Sequence, residues 1–561
     1  MKALYQKIKA ISGKPYGNYK QLATKKWDFG DFELEFLHVQ GDPYAPASRI
    51  LCSAKLETLN WAQEFHNSAA KRKAFADFLH RTLKKSLAER FASQKPPISI
   101  GELGPEILMR NSVWVKDGTV EVCLQVSLPG AGRVIEGEAA LDILTSALPD
   151  ILASSLYAGR ENEAGAKEAL HTLEVHDELE AKLEPLGLAA FIPNGAILPR
   201  ESGISERPLP GAVKFCSPKE LEVSIQAGGE LMTGMGVPKG ITLITGGAYH
   251  GKSTLLEALE KAAYPHIQGD GREWVVVQKG AVKVRSEDGR SVRRTDISAM
   301  VQNLPGGKST SAFDTASASG STSEAANLME ALEFGAKTIL IDEDASALNF
   351  LIRDERMRKL IGNEREPLIP LIDRIREFKA RGVSFIIVAG ACGDYLEVAD
   401  QVILMADYKA ECKAAEAGNF DSARREPPAL EAANYSEASR NFSAFTAELK
   451  PSVKPLSAQE RQVKVKLNGE ALQIGFLTAD LSRLSQFPDA ESKIGAGLLL
   501  LNLLQNPEDK PALEALLGKI ERVEQAGFKA LPQGMNRAAS LPRLQEIAAA
   551  LLRLRDYKQG R

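Results

Sequence analysis

The chain has 561 residues, enough for three or four domains, and 44% hydrophobic with 25% charged residues is ordinary for a soluble globular protein. No apolar run approaches the roughly 18–20 residues that a membrane helix needs, so no membrane segment is expected. The N-terminus, MKALYQKIKAISGKPYGNYK, lacks the continuous apolar core of a signal peptide; it is basic and mildly amphipathic, which leaves a transit peptide as the alternative. The five cysteines are scattered, with no C-x-x-C pair and no nearby His to complete a zinc site, which suits a reducing, cytoplasmic setting. Net charge is −3, but residues 1–100 hold 17 Lys/Arg against 9 Asp/Glu, a net of +8, leaving −11 for the rest. A basic N-terminal region on an acidic protein points to a polyanionic partner, with a solvated basic face as the plain alternative.

Residues 1–205 read as an α+β region. DFELEFLHVQ alternates like a strand, and AAKRKAFADFLHRTLKKSLAERF places Phe75, Phe78, Leu79, Leu83 and Leu87 on one helical face. VEVCLQVSLPG is a second strand, followed by the helix-rich ALDILTSALPDILASSLY. Residues 206–425 alternate strands and helices. GITLITGG, TILIDED and VSFIIVAG are short apolar runs, the pattern of a parallel sheet covered by helices and hence of an α/β fold. Between them, about 273–298, EWVVVQKGAVKVRSEDGRSVRRTDIS is expected to form an antiparallel hairpin with EDGR as its turn. Residues 426–561 are expected to form a third domain. It begins with the linker-like EPPALEAANYSEASRNFSAF, continues as two strands about a turn at Asn468-Gly469, and ends in helices.

The chemistry concentrates in residues 246–254, GGAYHGKST. Gly246, Gly247, Ala248, Tyr249, His250, Gly251, Lys252, Ser253 and Thr254 contain G-x-x-x-x-G-K-[ST], after a predicted strand and at the start of a predicted helix. Glycines let backbone amides turn inward around a phosphate, and the helix N-terminus adds a favourable dipole. Lys252 is expected on the β- and γ-phosphates of ATP, and Ser253 on Mg²⁺. In TILIDEDASALN (338–349), Asp342 ends the strand and is placed to hold Mg²⁺ through water, while Glu343 can polarise the attacking water.

A Glu directly after that Asp resembles the ABC-type ATPases, and so do the residues C-terminal to the pair. Ser346, Ala347, Leu348 and Asn349 stand where those proteins carry a D-loop of the form S-A-L-D. Their LSGGQ-type signature begins a helix some 23 residues before the Asp, which lands on Ser319. ASGST (318–322) matches it at Ser319 and Gly320, with Ser321 and Thr322 in place of Gly-Gln. The resemblance implies that this loop binds the γ-phosphate of a nucleotide held by the other subunit. The segments GMGVPKGITLITGGAYHGKSTLLEALE, ASGSTSEAANLMEALE, ILIDEDASALNFLIRD, HVQGDPYAPASR, NGAILPRESG and PRLQEIAAALLRLR together resemble the family of predicted ATPases of the ABC class. One member of that family is a trypanosome mitochondrial RNA-editing accessory protein. The family implies an N-terminal domain, an ABC-like ATPase core, a C-terminal domain, a homodimer and binding of ATP and ADP; for that relative it implies nucleic-acid binding.

The chain departs from ABC practice in four places. Gly390 stands where the switch His is expected, and no histidine follows His266, so slow hydrolysis is expected, with Asp394 or His250 as substitutes. Gln302 lies in the interval of the Q-loop and is the candidate third metal-site residue, with Asn303 and Asp296 as alternatives. Asn349 ends the D-loop, and Asp344 replaces the usual Pro. Phe215 is the upstream aromatic for adenine stacking. Lys283, Arg285, Arg293 and Arg294 on the expected hairpin form a candidate basic ridge for RNA or another single strand. His38, Asp42 and Arg49 surround a Gly-Asp-Pro turn that reads as structural. The expected function is a soluble ABC-class ATPase coupled to nucleic-acid binding; the alternative is an ATP-dependent protein-interaction scaffold.

Overall fold

Six strand segments, four of them largely apolar runs, form the sheet that carries the P-loop. Ile241–Thr245 (β1), Val282–Val284 (β2), Thr338–Asp342 (β3), Ser384–Val388 (β4), Gln401–Ala406 (β5) and Lys409–Cys412 (β6) lie in the order β2-β3-β4-β1-β5-β6. All neighbours are parallel except the β5–β6 hairpin. Every residue of β4 and the first four of β1 are buried, as strands covered on both faces must be. Each such Ile, Leu or Val contributes about 1.5–3 kcal/mol of burial. Helices Lys252–Lys261 (α1), Gly320–Glu333 (α2) and Leu371–Ala380 supply much of the cover.

The computed structural model describes residues 1–92, 96–361, 365–413, 440–456, 460, 462–535 and 537–556. The chain divides into two units, one of residues 1–173, 489–498 and 521–541, the other of residues 174–488, 499–520 and 542–561. This differs from the three-part expectation. The 173/174 division falls within the single helix Arg160–Leu183, and residues 426–561 contribute to both units. The expected boundary at 425/426, with most of the linker-like passage, lies outside the described residues.

The first unit holds an antiparallel sheet of Trp27–Asp28, Glu33–His38, Ser48–Lys55, Thr119–Val126 and Ile98–Ser99, with Val113–Lys116 also on Thr119–Val126. Helix Ala69–Arg90 is capped by the Ser68 side chain and buries Phe75, Leu79, Leu83 and Leu87, the face expected from their spacing. The N-terminal helix Lys2–Ile11 buries Leu4, Ile8 and Ile11 in the same core. Gly137–Leu156 is, among the described residues, the one stretch long and apolar enough to cross a membrane by length and composition. Its Ala140, Leu144, Leu148 and Leu152 lie in this unit's core. In the Gly-Asp-Pro turn, Asp42 accepts from the amides of Tyr44 and Ala45, Arg49 is buried against Cys123 Sγ, and His38 is exposed.

The expected hairpin at 273–298 does not form. A turn does close at Glu287–Arg290, but its arms pair elsewhere. β2 joins the edge of the parallel sheet, with Lys283 opposite Leu340, and Val292–Thr295 pairs with Phe313–Thr315. Val276 and Val277 pair with Leu188–Pro193. Burial of Val276, Val277 and Val284 in larger sheets outweighs the local turn that the sequence advertises. The strand pair about Asn468-Gly469 forms as read, Val465–Asn468 against Ala471–Ile474, with Gly469 at φ +58°.

Candidate nucleotide site

The P-loop joins β1 to α1, and two glycines in it have no substitute. Gly246 has φ +138°, and a Cβ there would lie 2.2 Å from the Met405 carbonyl oxygen. Gly251, at φ +93°, is the residue from which α1 starts. Tyr249 crests the loop at φ +65° with 93% of its surface exposed. Lys252 Nζ donates to the carbonyls of Gly246 and Gly247 at 2.8 and 2.7 Å. The ammonium is therefore folded back over its own loop. His250 Nδ1 accepts from the Asp407 amide at 2.8 Å and ties the loop to the β5–β6 turn. Ser253 and Thr254 open α1, Ser253 exposed.

Asp342 ends β3 and accepts from the Asp344 amide at 3.3 Å. Burial pushes its carboxyl up, and the Lys283 ammonium is the strongest opposing influence. Lys283 itself is paired with the buried Glu260 at 2.8 Å. The carboxylate of Glu343 accepts from the amides of Gly390 and Ala391 at 2.7 and 3.1 Å. Gly390 is the residue expected from the sequence to stand in place of a switch His. It also backs onto Lys252: a Cβ there would lie 3.4 Å from Lys252 Cε and 3.5 Å from Nζ. One backbone segment thus touches both Glu343 and Lys252. The two expected substitutes, His250 and Asp394, each have a partner of their own. His250 is engaged at Asp407, and Asp394 accepts from Cys392 Sγ.

The residues fit MgATP by their donor set. A glycine-shaped loop at a helix N-terminus, a lysine, a hydroxyl and a strand-end carboxylate are the groups that polyphosphate and Mg²⁺ take. Among the described residues there is no cluster of three or more His, Cys, Asp or Glu that could hold a metal. Gln302 turns its amide to the Ser298 carbonyl at 3.2 Å, Asp296 caps Ser298, and Asn303 is exposed at φ +52°. Phe215 is corrected outright. It is 4% exposed, packed in the core with Leu255 and Leu256 near α1's start, and offers no face to a base.

The stretch around Ser319 is structured. Ser319 precedes α2, its hydroxyl pairs with that of Thr322 at 3.0 Å, and Ser323 donates to the Gly320 carbonyl. Ser319 is exposed, and Gly320, Ser321 and Thr322 are half-buried. Gly320 approaches Ser286 so closely that a Cβ would lie 2.6 Å from its Oγ. Ser346 and Asn349, the residues of the expected D-loop, are held nearby: Ser346 donates to the Asp342 carbonyl at 2.9 Å, and Asn349 reaches Ser321 at 3.5 Å.

Behind this loop lie residues to which the sequence assigned no functional part. Glu324, fully buried in the first turns of α2, accepts from the Ala347 amide at 2.7 Å and so clasps the Ser346–Asn349 segment. Its Oε1 has no hydrogen-bond partner among the described residues, and burial pushes the carboxyl up to about 7. Between about pH 4.5 and 7 the folded chain therefore binds more protons here than the unfolded chain. This group's contribution to stability falls as pH rises through that window. Glu324→Gln keeps an acceptor for Ala347, and is expected to flatten the dependence and raise stability at pH 8 by up to about 3 kcal/mol. Denaturant midpoints of both proteins from pH 5 to 8 check this.

The second such group is a buried charge network. Arg290 donates to Asn327 and Glu330, and Arg553, just after helix Leu544–Leu552 (α3), donates to Glu287 and Asn327. All five side chains are less than a tenth exposed. The Glu287–Arg290 turn in its centre exchanges backbone bonds with Ala318, the residue before Ser319. Removing Arg553 strands a buried carboxylate. Arg553→Ala is expected to destabilise the second unit by about 3–5 kcal/mol, read as a shift in its denaturant midpoint.

The basic ridge is not assembled. Lys283 serves Glu260 and Asp342, Arg293 pairs with Glu448 at 2.5 Å, and Arg285 stands beside Glu324. Arg294 is exposed at φ +47°. With β2 in the central sheet, the alternation that would put these residues on one face is absent.

The family model for the P-loop domain of ABC ATPases matches residues 162–441, and that for the N-terminal region of ATPases of the ABC class matches residues 1–159. An uncharacterized protein of Methanocaldococcus jannaschii, MJ1628, is 34% identical over 243 residues, 42% of this chain. The chain spans 53% of that relative's length. Among solved structures, the ADP conformation of MJ1267, an ATP-binding cassette of an ABC transporter, is 14% identical, with 35% of this chain and 91% of that one covered and a TM-score of 0.23. A nucleotide-free ATP-binding cassette from an ABC transporter is 13% identical, with 39% and 89% covered and a TM-score of 0.23. Both scores are too low to carry a point of structure. The two family models together span residues 1–441, and the chain belongs to the ATPases of the ABC class.

Proposed function

We propose that this chain binds ATP with Mg²⁺ at the P-loop and hydrolyses it slowly, at sites completed by the Ser319–Thr322 loop of a second copy. The observation that carries the reading is the convergence at Gly390. Its amide holds the Glu343 carboxylate at 2.7 Å while its α-carbon faces Lys252. The phosphate-binding lysine and the water-activating carboxylate are thereby registered to each other by backbone. Lys252 exchanges its loop carbonyls for β- and γ-phosphate oxygens. Ser253 and Asp342 are the residues that would hold Mg²⁺, which neutralises charge on the same oxygens when bound. Glu343 takes a proton from water or orients it. A switch His would add a donor to the γ-phosphate, and its absence supports a slow rate.

The second copy is supported by exposure: Ser319 and Asn349 are exposed, and Leu348, the neighbour of Asn349, is 62% exposed. Coupling to a nucleic acid rests on the basic excess of residues 1–100, because two of the four candidate cations are spent in ion pairs. Steady-state phosphate release from the full chain tests the reading. Slow, Mg²⁺-dependent turnover abolished by chelation is expected; no turnover, or turnover indifferent to chelation, would reject it.

A further inference from the structure

The order of the sheet gives the nucleotide site a direction. Glu343 follows β3, and the amides that hold it follow β4, the neighbour of β1 on one side. A nucleotide laid along the P-loop with its γ-phosphate there would have its base on the opposite side, where β5 is the other neighbour of β1. What stands there is the β5–β6 turn.

That turn has a two-residue loop, Asp407-Tyr408, with φ +48° and +64°. Positive φ at both positions is the demand of a hairpin turn normally built from Asn and Gly. A tyrosine there is strained, and strain of this kind persists where the surroundings hold it and a use selects it. The surroundings do hold it: the Asp407 amide is bonded to His250 of the P-loop. Tyr408 lies against Gly251, where a Cβ would sit 3.4 Å from its Cδ1. The side chain is still 58% exposed. One edge of the ring is therefore registered to the residue before Lys252, and much of the rest faces solvent.

We propose that Tyr408 is the platform on which the base of the nucleotide stacks, in the role that Phe215 cannot fill from the core. This rests on the ATP reading above and adds the base subsite to it. An aromatic face serves any purine, so ATP and GTP gain alike from it.

The test is the affinity of the full chain for ATP and for inorganic tripolyphosphate, each with Mg²⁺, by calorimetry. Tyr408→Gly is the informative variant, because glycine suits φ +64° and removes the ring without opposing the turn. It is expected to weaken ATP about ten- to hundredfold and leave tripolyphosphate unchanged, with Tyr408→Phe and Tyr408→Trp close to the original. Unchanged ATP affinity in Tyr408→Gly, or equal losses for ATP and tripolyphosphate, would overturn the proposal. So would a loss found only in Tyr249→Gly. If the original chain binds tripolyphosphate as tightly as ATP, the base platform falls and the phosphate site stands. If it binds neither, both fall.

Discussion

Replacing Glu343 by glutamine is expected to lower ATP turnover about 10²–10⁴-fold, the usual weight of a positioned general base, while ATP affinity changes little. The glutamine oxygen can still accept from the amides of Gly390 and Ala391, which now hold the carboxylate at 2.7 and 3.1 Å. The substitution therefore removes basicity and keeps geometry. Turnover and affinity measured on the same preparation check it. A loss of affinity that tracks the loss of turnover would move Glu343 from the chemistry to nucleotide binding.

Lys252→Ala has the second large expected effect, and it falls on binding. The ammonium stands 2.8 and 2.7 Å from two loop carbonyls and is the cation nearest Gly390 in the site. Its loss removes charge-assisted bonds to two phosphates, each worth about 1.5–3 kcal/mol, so affinity is expected to fall at least about a hundredfold. It also frees the carbonyls of Gly246 and Gly247, one in a part-buried and one in an exposed bond, so the effect on folding should be small. Calorimetric titration with ATP, beside a denaturation curve, separates the two.

The parts of this protein that could be read from sequence are those governed by local patterns. Ile241–Thr245, Thr338–Asp342 and Ser384–Val388 are apolar runs of strand length, and each is a buried parallel strand. The P-loop declares itself because its backbone demands glycine at 246 and 251. The helix behind Ser319 follows from its residues and starts at Gly320. What could not be read depends on distant partners. Val282–Val284 is three residues with a lysine in the middle, which looks like a hairpin arm until Glu260 supplies the counter-charge and Ile339 and Ile341 the pairing. Glu324 is one acid among several in a helix; only burial against the Ala347 amide makes it distinct. Arg553 lies 266 residues from Glu287, beyond any spacing rule. A tyrosine at 408 reads as a surface residue until its positive φ and its place beside Gly251 are known.

The same contrast bears on how the site would work. The Ser319 loop is braced by buried charges and by Glu324, which also holds the Ser346–Asn349 segment, so the two exposed segments that would meet a partner are one rigid piece. That brace makes the composite site a sharp claim about assembly. The most direct measurement is the solution mass of the Glu343→Gln protein with saturating MgATP, with MgADP and with neither. The account predicts a doubled mass with MgATP alone, returned to the single-chain mass when Ser319→Glu puts a negative charge against the γ-phosphate. A single-chain mass at saturating MgATP, or a doubled mass indifferent to nucleotide and to Ser319, would contradict it.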